Sequence, residues 1–260
     1  MVVIDAHTHF GDKGKASPPN TARDLVAVMD GFGIDAMVTT PPYSAISYER
    51  DYEAANAFVA DAMRQYPHRI FGLARVNPHF REIEVARVDK WLAAGFWGIK
   101  FHPRNEAMAA NDPVLVFPIM EVAAKHRKAV LFHTGEPDTY GFAQPTLCGD
   151  VADMFPGVPV VIGHMGKRLF DDAILIAKWF DNVVLETSFR SPHDIEKAVR
   201  TVGPERVVYG SDFYMGGPFG PDLEMMKVKL ASIPQREKEM VLGDNINRIL
   251  RLGVKRRVEA

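Results

Sequence analysis

The sequence predicts an α/β protein, a single (β/α)8 TIM barrel with an extra C-terminal helix, occupying residues 1–260 as one domain. Three observations carry this. Strand-like and helix-like stretches alternate eight times. Successive proposed strand ends lie between 23 residues (164 to 187) and 36 residues (40 to 76) apart, room for one helix and two short loops. No linker, low-complexity tract or composition break interrupts the 260 residues, and α/β barrels run to about 250 residues as single units. Crossovers between parallel strands are right-handed and cover both faces of the sheet, which favours closure. A doubly wound open sheet is the alternative, but the G-x-G-x-x-G fingerprint expected after its first strand is missing.

The strand-like runs, short and rich in β-branched or aromatic residues, fall at 2–6, 36–40, 70–76, 97–101, 129–132, 158–162, 183–186 and 206–209. Stretches with helical spacing lie between them at 24–29, 52–65, 83–93, 114–126, 146–154, 173–180, 195–202 and 223–230, with a last helix near 246–250. Ser191-Pro192 supplies an N-cap and a first-turn proline for the seventh helix, and Gly203-Pro204 ends it. Tyr66-Pro67 and Phe155-Pro156-Gly157 stop two others in the same manner.

Composition narrows the function classes. Hydrophobic residues make up 47% and charged residues 25%, enough apolar material for a sizeable core. The net charge of −2 creates no bulk field, so neither nucleic acid nor an anionic membrane is expected as a partner. Cys148 is the only cysteine, so a zinc site would have to use His and carboxylate ligands. No apolar run approaches the ~18 residues of a membrane span, and no leader pattern opens the chain. A cytoplasmic protein acting on a small molecule is the expectation.

Five of the nine histidines sit at the C-terminal ends of proposed strands, where barrel active sites are built. His7 and His9 end the first strand, His102 the fourth, His133 the fifth and His164 the sixth; Asp212 ends the eighth. Residues i and i+2 on a strand project to one side, so His7 and His9 can converge on one ion. Asp5 shares their parity one step deeper, as a candidate acceptor behind the ligands. Imidazoles with one carboxylate suit Zn, Mn, Fe or Co. Arg168 and Glu136 lie on the same rim as candidate substrate contacts, each weighed evenly against an ordinary surface role. His68, His79, His126 and His193 fall in loops or at helix ends and are read as structural or solvated.

The ordered motifs Asp5-Ala6-His7-Thr8-His9, Gly98-Ile99-Lys100-Phe101-His102-Pro103, His133-Thr134-Gly135, Gly163-His164-Met165-Gly166 and Tyr209-Gly210-Ser211-Asp212-Phe213 are followed by Gly243-Asp244-Asn245-Ile246-Asn247-Arg248-Ile249-Leu250. Together they resemble the amidohydrolase-related (amidohydrolase 2) branch of the amidohydrolase superfamily, which includes aminocarboxymuconate-semialdehyde decarboxylase and resorcylate-type decarboxylases. The resemblance implies that His7, His9, His133 and Asp212 bind a divalent metal, with zinc favoured, and that His164 stands beside its water. It implies that Asn245 and Arg248 are structural, and it favours a homodimer. Lys100 occupies the position where two-metal members of the wider superfamily carry a carboxylated lysine. If Lys100 were so modified, His164 would become a ligand of a second ion; a lysine ion pair in the barrel mouth is the plainer reading, and one ion is expected.

Two chemistries fit such a cage. In the first, the ion lowers the pKa of a water from about 15.7 toward ~7, and Asp212 and His164 assist attack on an ester, lactone or amide. In the second, a small carboxylic acid loses CO2 without oxidation. Hydrolysis is the main expectation and decarboxylation the alternative, with His102, Arg168 and Glu136 as substrate contacts. A TatD-type deoxyribonuclease is less favoured, because that family expects a glutamate where this chain has Lys100-Phe101-His102.

Overall fold

The computed structural model describes residues 1–11, 21–42, 49–135, 141–215 and 220–256. Eight parallel strands run in sequence order around a barrel: β1 (Ile4–His9), β2 (Ala36–Thr40), β3 (Ile70–Arg75), β4 (Gly98–Phe101), β5 (Ala129–Phe132), β6 (Val160–Ile162), β7 (Val183–Glu186) and β8 (Val207–Val208). The ring closes where the segment after β8 meets β1. Ala6 N–H donates to Tyr209 O at 2.9 Å, Asp212 N–H to His7 O at 2.8 Å and His9 N–H to Phe213 O at 2.6 Å.

Around the barrel lie α1 (Ala22–Phe32), α2 (Glu49–Gln65), α3 (Arg81–Ala93), α4 (Phe117–His126), α5 (Pro145–Met154), α6 (Phe170–Trp179), α7 (Pro192–Val202) and α8 (Pro221–Leu230). None of the described helices is long and apolar enough to cross a membrane. Capping sets several starts. Thr21 and Ser191 each form a reciprocal capping box, with Asp24 and Asp194, a device worth about 1 kcal/mol per cap. The α4 start moves from the expected 114 to Phe117, because Asp112 Oδ1 accepts the N–H groups of Val114 and Leu115 and holds a turn there.

The chain ends with more than one helix. Here α9 (Gln235–Glu239) runs through a π-turn at Met240–Asp244 into α10 (Asn245–Leu250). As the family motif implies, Asn245 and Arg248 are structural. Asn245 Nδ2 donates to Pro204 O at 2.7 Å and Val207 O at 2.8 Å, and Arg248 reaches Glu205 O at 2.8 Å. These bonds pin α10 across the lower end of the barrel, where Ile246, Leu250 and Leu252 join the lumen residues.

Two apolar layers follow from the period-two pattern of the strands. Ile4, Ala6, Ala36, Val38, Phe71, Leu73, Ala129, Leu131, Val161, Val184 and Val208 fill the lumen. Met37, Ile70, Ala74, Ile99, Phe101, Val130, Phe132, Val160, Ile162, Val183 and Leu185 face the helices.

The first strand breaks its own period. Ile4 and Asp5 pair with Ala36 and Met37, while Thr8 and His9 pair with Thr39 and Thr40. Between them β1 has one residue more than β2, a bulge that reverses the facing of everything beyond it. Asp5 therefore points outward beside Met37, and His9 points inward beside Thr40. This corrects the parity expectation for Asp5. Its carboxylate accepts from Ser211 Oγ at 2.5 Å, Ser211 N at 2.9 Å and His7 N at 3.2 Å, so it braces the β8 end and touches no imidazole ring.

Candidate metal centre

The upper lumen follows directly from strand parity. On β3, Phe71 and Leu73 face inward, so Arg75 does too; on β4, Lys100 pairs in register with Arg75 and faces the same way. His102, His133 and Glu186 continue the inward rows of β4, β5 and β7. All are buried, with Lys100 and His164 fully enclosed. A barrel mouth densely packed with ionisable groups is costly to bury, which points to a site rather than to packing.

Three donors converge. His9 Nε2 lies 3.0 Å from Asp212 Oδ1, His7 Nε2 lies 3.5 Å from the same oxygen, and all three donor atoms fall within 4.8 Å of one another. Asp212 reaches this position from a left-handed backbone (φ 55), a conformation that Asp adopts more readily than most residues. Lys100 Nζ sits 2.9 Å from His7 Nε2.

Behind the donors stands Glu186. Its Oε2 accepts from His7 Nδ1 at 2.8 Å, His164 N at 3.0 Å and Ser188 Oγ at 2.9 Å, and Oε1 accepts from Ser188 N at 2.5 Å. The bond to His7 Nδ1 fixes that ring's tautomer and leaves the Nε2 lone pair turned to Asp212 and Lys100. The grouping of His7, His164 and Glu186 is therefore a hydrogen-bonded support, although its atoms also lie within 4.8 Å of one another.

His164 enters from a left-handed run, with φ of 61, 45, 75 and 43 at His164, Met165, Gly166 and Lys167. That run packs on Gly135 (φ 84), where a Cβ would overlap the Gly166 carbonyl, so the His133-Thr134-Gly135 and Gly163-His164-Met165-Gly166 motifs interlock. His164 Nε2 meets His133 Nδ1 at 3.0 Å and Nδ1 meets Ser188 Oγ at 2.5 Å. The His133 ring in turn stacks on His102, with centroids 3.9 Å apart and 11° between planes.

Burial dominates the electrostatics. It pushes His7, His9, His102 and His164 below the ordinary histidine range, so these rings stay neutral at pH 7. It pushes Glu186 up to about 7 against its hydrogen bonds from His164 and Ser188. Lys100 is pushed down to about 7 by burial, opposed by the charges of Asp212 and Glu186. Asp212 goes the other way. Burial would raise it, but His7, His9 and Lys100 together hold it well below the usual carboxylate range.

Neutral imidazoles and an ionised carboxylate are the protonation states a divalent cation requires. The donor set fits such an ion: two imidazole nitrogens and one carboxylate oxygen, with the Lys100 ammonium already donating to the His7 lone pair that an ion would use.

The amidohydrolase family model matches residues 4–252. The chain belongs to the amidohydrolase family. Among solved structures it is similar to the dihydroxybenzoic acid decarboxylase from Polaromonas sp. JS666 with bound manganese and the inhibitor 2-nitroresorcinol (16% identity, TM-score 0.78, 98% of each chain covered). It is also similar to the 2,6-dihydroxybenzoate decarboxylase from Rhizobium (15%, 0.77, covering 96% of this chain and 99% of that one). A third is the 5-carboxyvanillate decarboxylase from Sphingomonas paucimobilis (18%, 0.76, covering 96% and 99%). No curated protein matches significantly.

In this amidohydrolase the structure brings together His7, His9 and Asp212 and sets Lys100 against them. His133 and His164 lie one hydrogen bond apart beside the cluster, and His133 is outside the converged donors. Arg168 follows the left-handed run and is exposed to solvent. Glu136 lies outside the described residues. Lys100, the candidate for an ion pair or a carboxylated bridge, meets the His7 imidazole, with the charges of Asp212 and Glu186 acting on it. His126 does occupy a helix end and pairs with Asp89 at 2.7 Å.

Sequence reasoning missed Glu186, Ser188, Arg75 and Glu106. Glu186 and Arg75 could have been found, because each is a lone charged residue on the inward parity of an otherwise apolar strand.

Proposed function

We propose that this amidohydrolase is a metal-dependent lyase that removes CO2, without oxidation, from a small carboxylic acid. The observation that carries this reading is the site's composition. A three-donor cluster, His7, His9 and Asp212, lies at the C-terminal rim of the barrel, with the buried Lys100 amine 2.9 Å from His7 Nε2, where it can meet a substrate carboxylate. The decarboxylases that share its fold over nearly the whole chain support the choice of reaction. His133 is proposed as the fourth ligand through Nε2, since Nδ1 is engaged with His164. One zinc or manganese ion per chain is expected, and its role when bound is to act as a Lewis acid on the substrate's carboxylate and neighbouring oxygen.

The chain's own residues do the rest. Asp212, ionised and hydrogen-bonded to His9, would accept the proton of a substrate hydroxyl and return it to the carbon whose bond to the carboxylate breaks, so that CO2 leaves and the substrate oxygen keeps the negative charge. His164, held by Ser188 and His133, presents a neutral ring without shifting. Lys100 supplies positive charge beside the departing carboxylate, and His102 lines the approach. The same reading has a small-molecule substrate, no nucleic-acid partner and a cytoplasmic setting, the last in keeping with a lone buried thiol at Cys148.

A second reading, hydrolysis of an ester, lactone or amide, uses the same donors, with Asp212 as the acceptor for the proton of a water held there. Elemental analysis of wild type and Lys100→Ala, with product analysis on a panel of hydroxylated aromatic acids, separates the two. One ion per chain in both proteins, with CO2 released, supports the lyase. Two ions falling to one in Lys100→Ala, with acid formed and no CO2, overturns it in favour of a binuclear hydrolase.

A further inference from the structure

The stack of His102 on His133 is held from behind by a buried carboxylate that the reaction does not use. Glu106 follows β4 by five residues and is enclosed. Its Oε2 accepts the His102 main-chain N–H at 2.9 Å. Its Oε1 accepts the Tyr52 hydroxyl at 3.1 Å and Arg75 Nε at 3.2 Å, and Arg75 Nη2 closes on the same oxygen. Its own carbonyl accepts from His79 Nε2 at 2.6 Å. Arg75 is fixed in turn by Asn56, whose side chain bonds the Arg75 N–H and C=O, each at 2.9 Å. Groups from α2 and β3 thus converge on one carboxylate, the turn at Pro78–Phe80 holds its main chain, and that carboxylate holds His102.

A buried ion pair is a poor source of stability, since an apolar pair of similar volume is often as stable. Here the pair sits one residue contact from a ring that a bound ion would need in a fixed orientation. We propose that Glu106, neutralised by Arg75, is a positioning residue of the metal centre: it holds the His102 main chain so that the imidazole stays flat on His133, and the stack sets the direction of His133 Nε2. This rests on the reading of His133 as a ligand. His133 stands outside the converged triad, so its affinity contribution depends on orientation more than that of His7 or His9, which Glu186 and the β1 backbone already fix. Outer groups that orient ligands are typically worth about 10–100-fold in metal affinity.

The test is zinc affinity of the full chain by competition with a chromophoric chelator, with thermal unfolding of each metal-free variant measured alongside. His102→Ala should weaken zinc binding about 10–100-fold, and His102→Phe, which keeps a flat ring to stack, should recover most of the loss. Arg75→Met/Glu106→Leu should weaken it by a similar factor. Arg75→Met/Glu106→Gln, which keeps an acceptor for the His102 N–H, should stay within about threefold of wild type. Adding His102→Ala to Arg75→Met/Glu106→Leu should cause little further loss, because residues acting through one another are not additive.

Zinc affinity unchanged in His102→Ala, or losses that multiply in the combined variant, would overturn the positioning role while leaving the ligand assignment standing. If Arg75→Met/Glu106→Leu does not fold, the contrast between His102→Ala and His102→Phe still decides. A wild-type chain that takes up no zinc and no manganese would instead overturn the metal reading itself.

Discussion

Replacing Glu186 by glutamine changes one oxygen to an NH2 group and leaves the volume of the side chain almost intact. The four donors around the carboxylate decide the outcome. Three of them, His7 Nδ1, His164 N and Ser188 Oγ, point at Oε2, and one, Ser188 N, points at Oε1. The amide oxygen will therefore take the Oε2 place, and the NH2 group will face the Ser188 N–H. One buried donor is then left unsatisfied, which costs about 1–3 kcal/mol of folding stability. The His7 bond survives but loses its charge, and charge-assisted bonds are roughly twice as strong as neutral ones. With the ring less firmly held as the Nδ1–H tautomer, metal affinity should fall by about 10-fold, and by about 100-fold in Glu186→Leu, where no acceptor remains. Urea unfolding of the metal-free proteins measures the first effect and chelator competition the second. Glu186→Gln binding metal as tightly as wild type, in a protein destabilised as expected, would refute the claim that this carboxylate sets the His7 tautomer.

Three other outcomes are expected. Burial pushes the Glu84 carboxyl up to about 7, against its bond from Asn77 N and the nearby Arg87, so the folded state holds a proton that the unfolded state releases above its ordinary value of 4.5. That contribution is complete below about pH 4.5 and is lost as pH rises through about 7, a change of about 3 kcal/mol. In Glu84→Gln the fall in urea-measured stability between pH 4.5 and pH 8 should shrink by that amount, and an unchanged fall would contradict it. Gly135→Ala should destabilise by more than about 2 kcal/mol, since its backbone is left-handed and the new Cβ would strike the Gly166 carbonyl; a melting temperature equal to wild type would show that the interlock yields. Cys148 is enclosed and its thiol is pushed up to about 12, first by burial and then by Asp150, so native protein should resist a thiol reagent at pH 8 and react only as denaturant unfolds it. Rapid labelling without denaturant would mean that the α5 helix opens.

The barrel was legible because its signals are local and repeated. Alternating runs at regular spacing survive errors of a few residues at each end, and β2, β5 and β7 have the expected bounds. The histidines were legible because each closes a strand, and strand ends face the mouth. What was hidden lies in exceptions to period two. Asp5 shares a parity with His7 in the sequence, and only pairing with β2 reveals the extra residue that separates their faces. His133 and Asp212 were expected as equal partners, but their relative placement depends on the left-handed turns at 164–167 and 212, which no propensity predicts for His, Met or Lys. Glu106 belongs to a loop, and its role is visible only where α2, β3 and β4 meet.

The bulge in β1 has a consequence for how such a barrel can change. Below it, the strand's inward side chains are Ile4 and Ala6, and they serve cohesion; above it they are His7 and His9, and they serve chemistry. The extra residue works like a frame shift placed between two messages written on one strand. Substitutions on either side can accumulate independently, because each face is read against its own neighbours on β2. Removing the one residue between Ala6 and Thr8 would leave the pairs Asp5–Met37 and Thr8–Thr39 in register and both flanks facing as they do, but it would take away His7. What the extra residue adds to the strand is thus a donor, and its neighbours on β2 need not move to accommodate it.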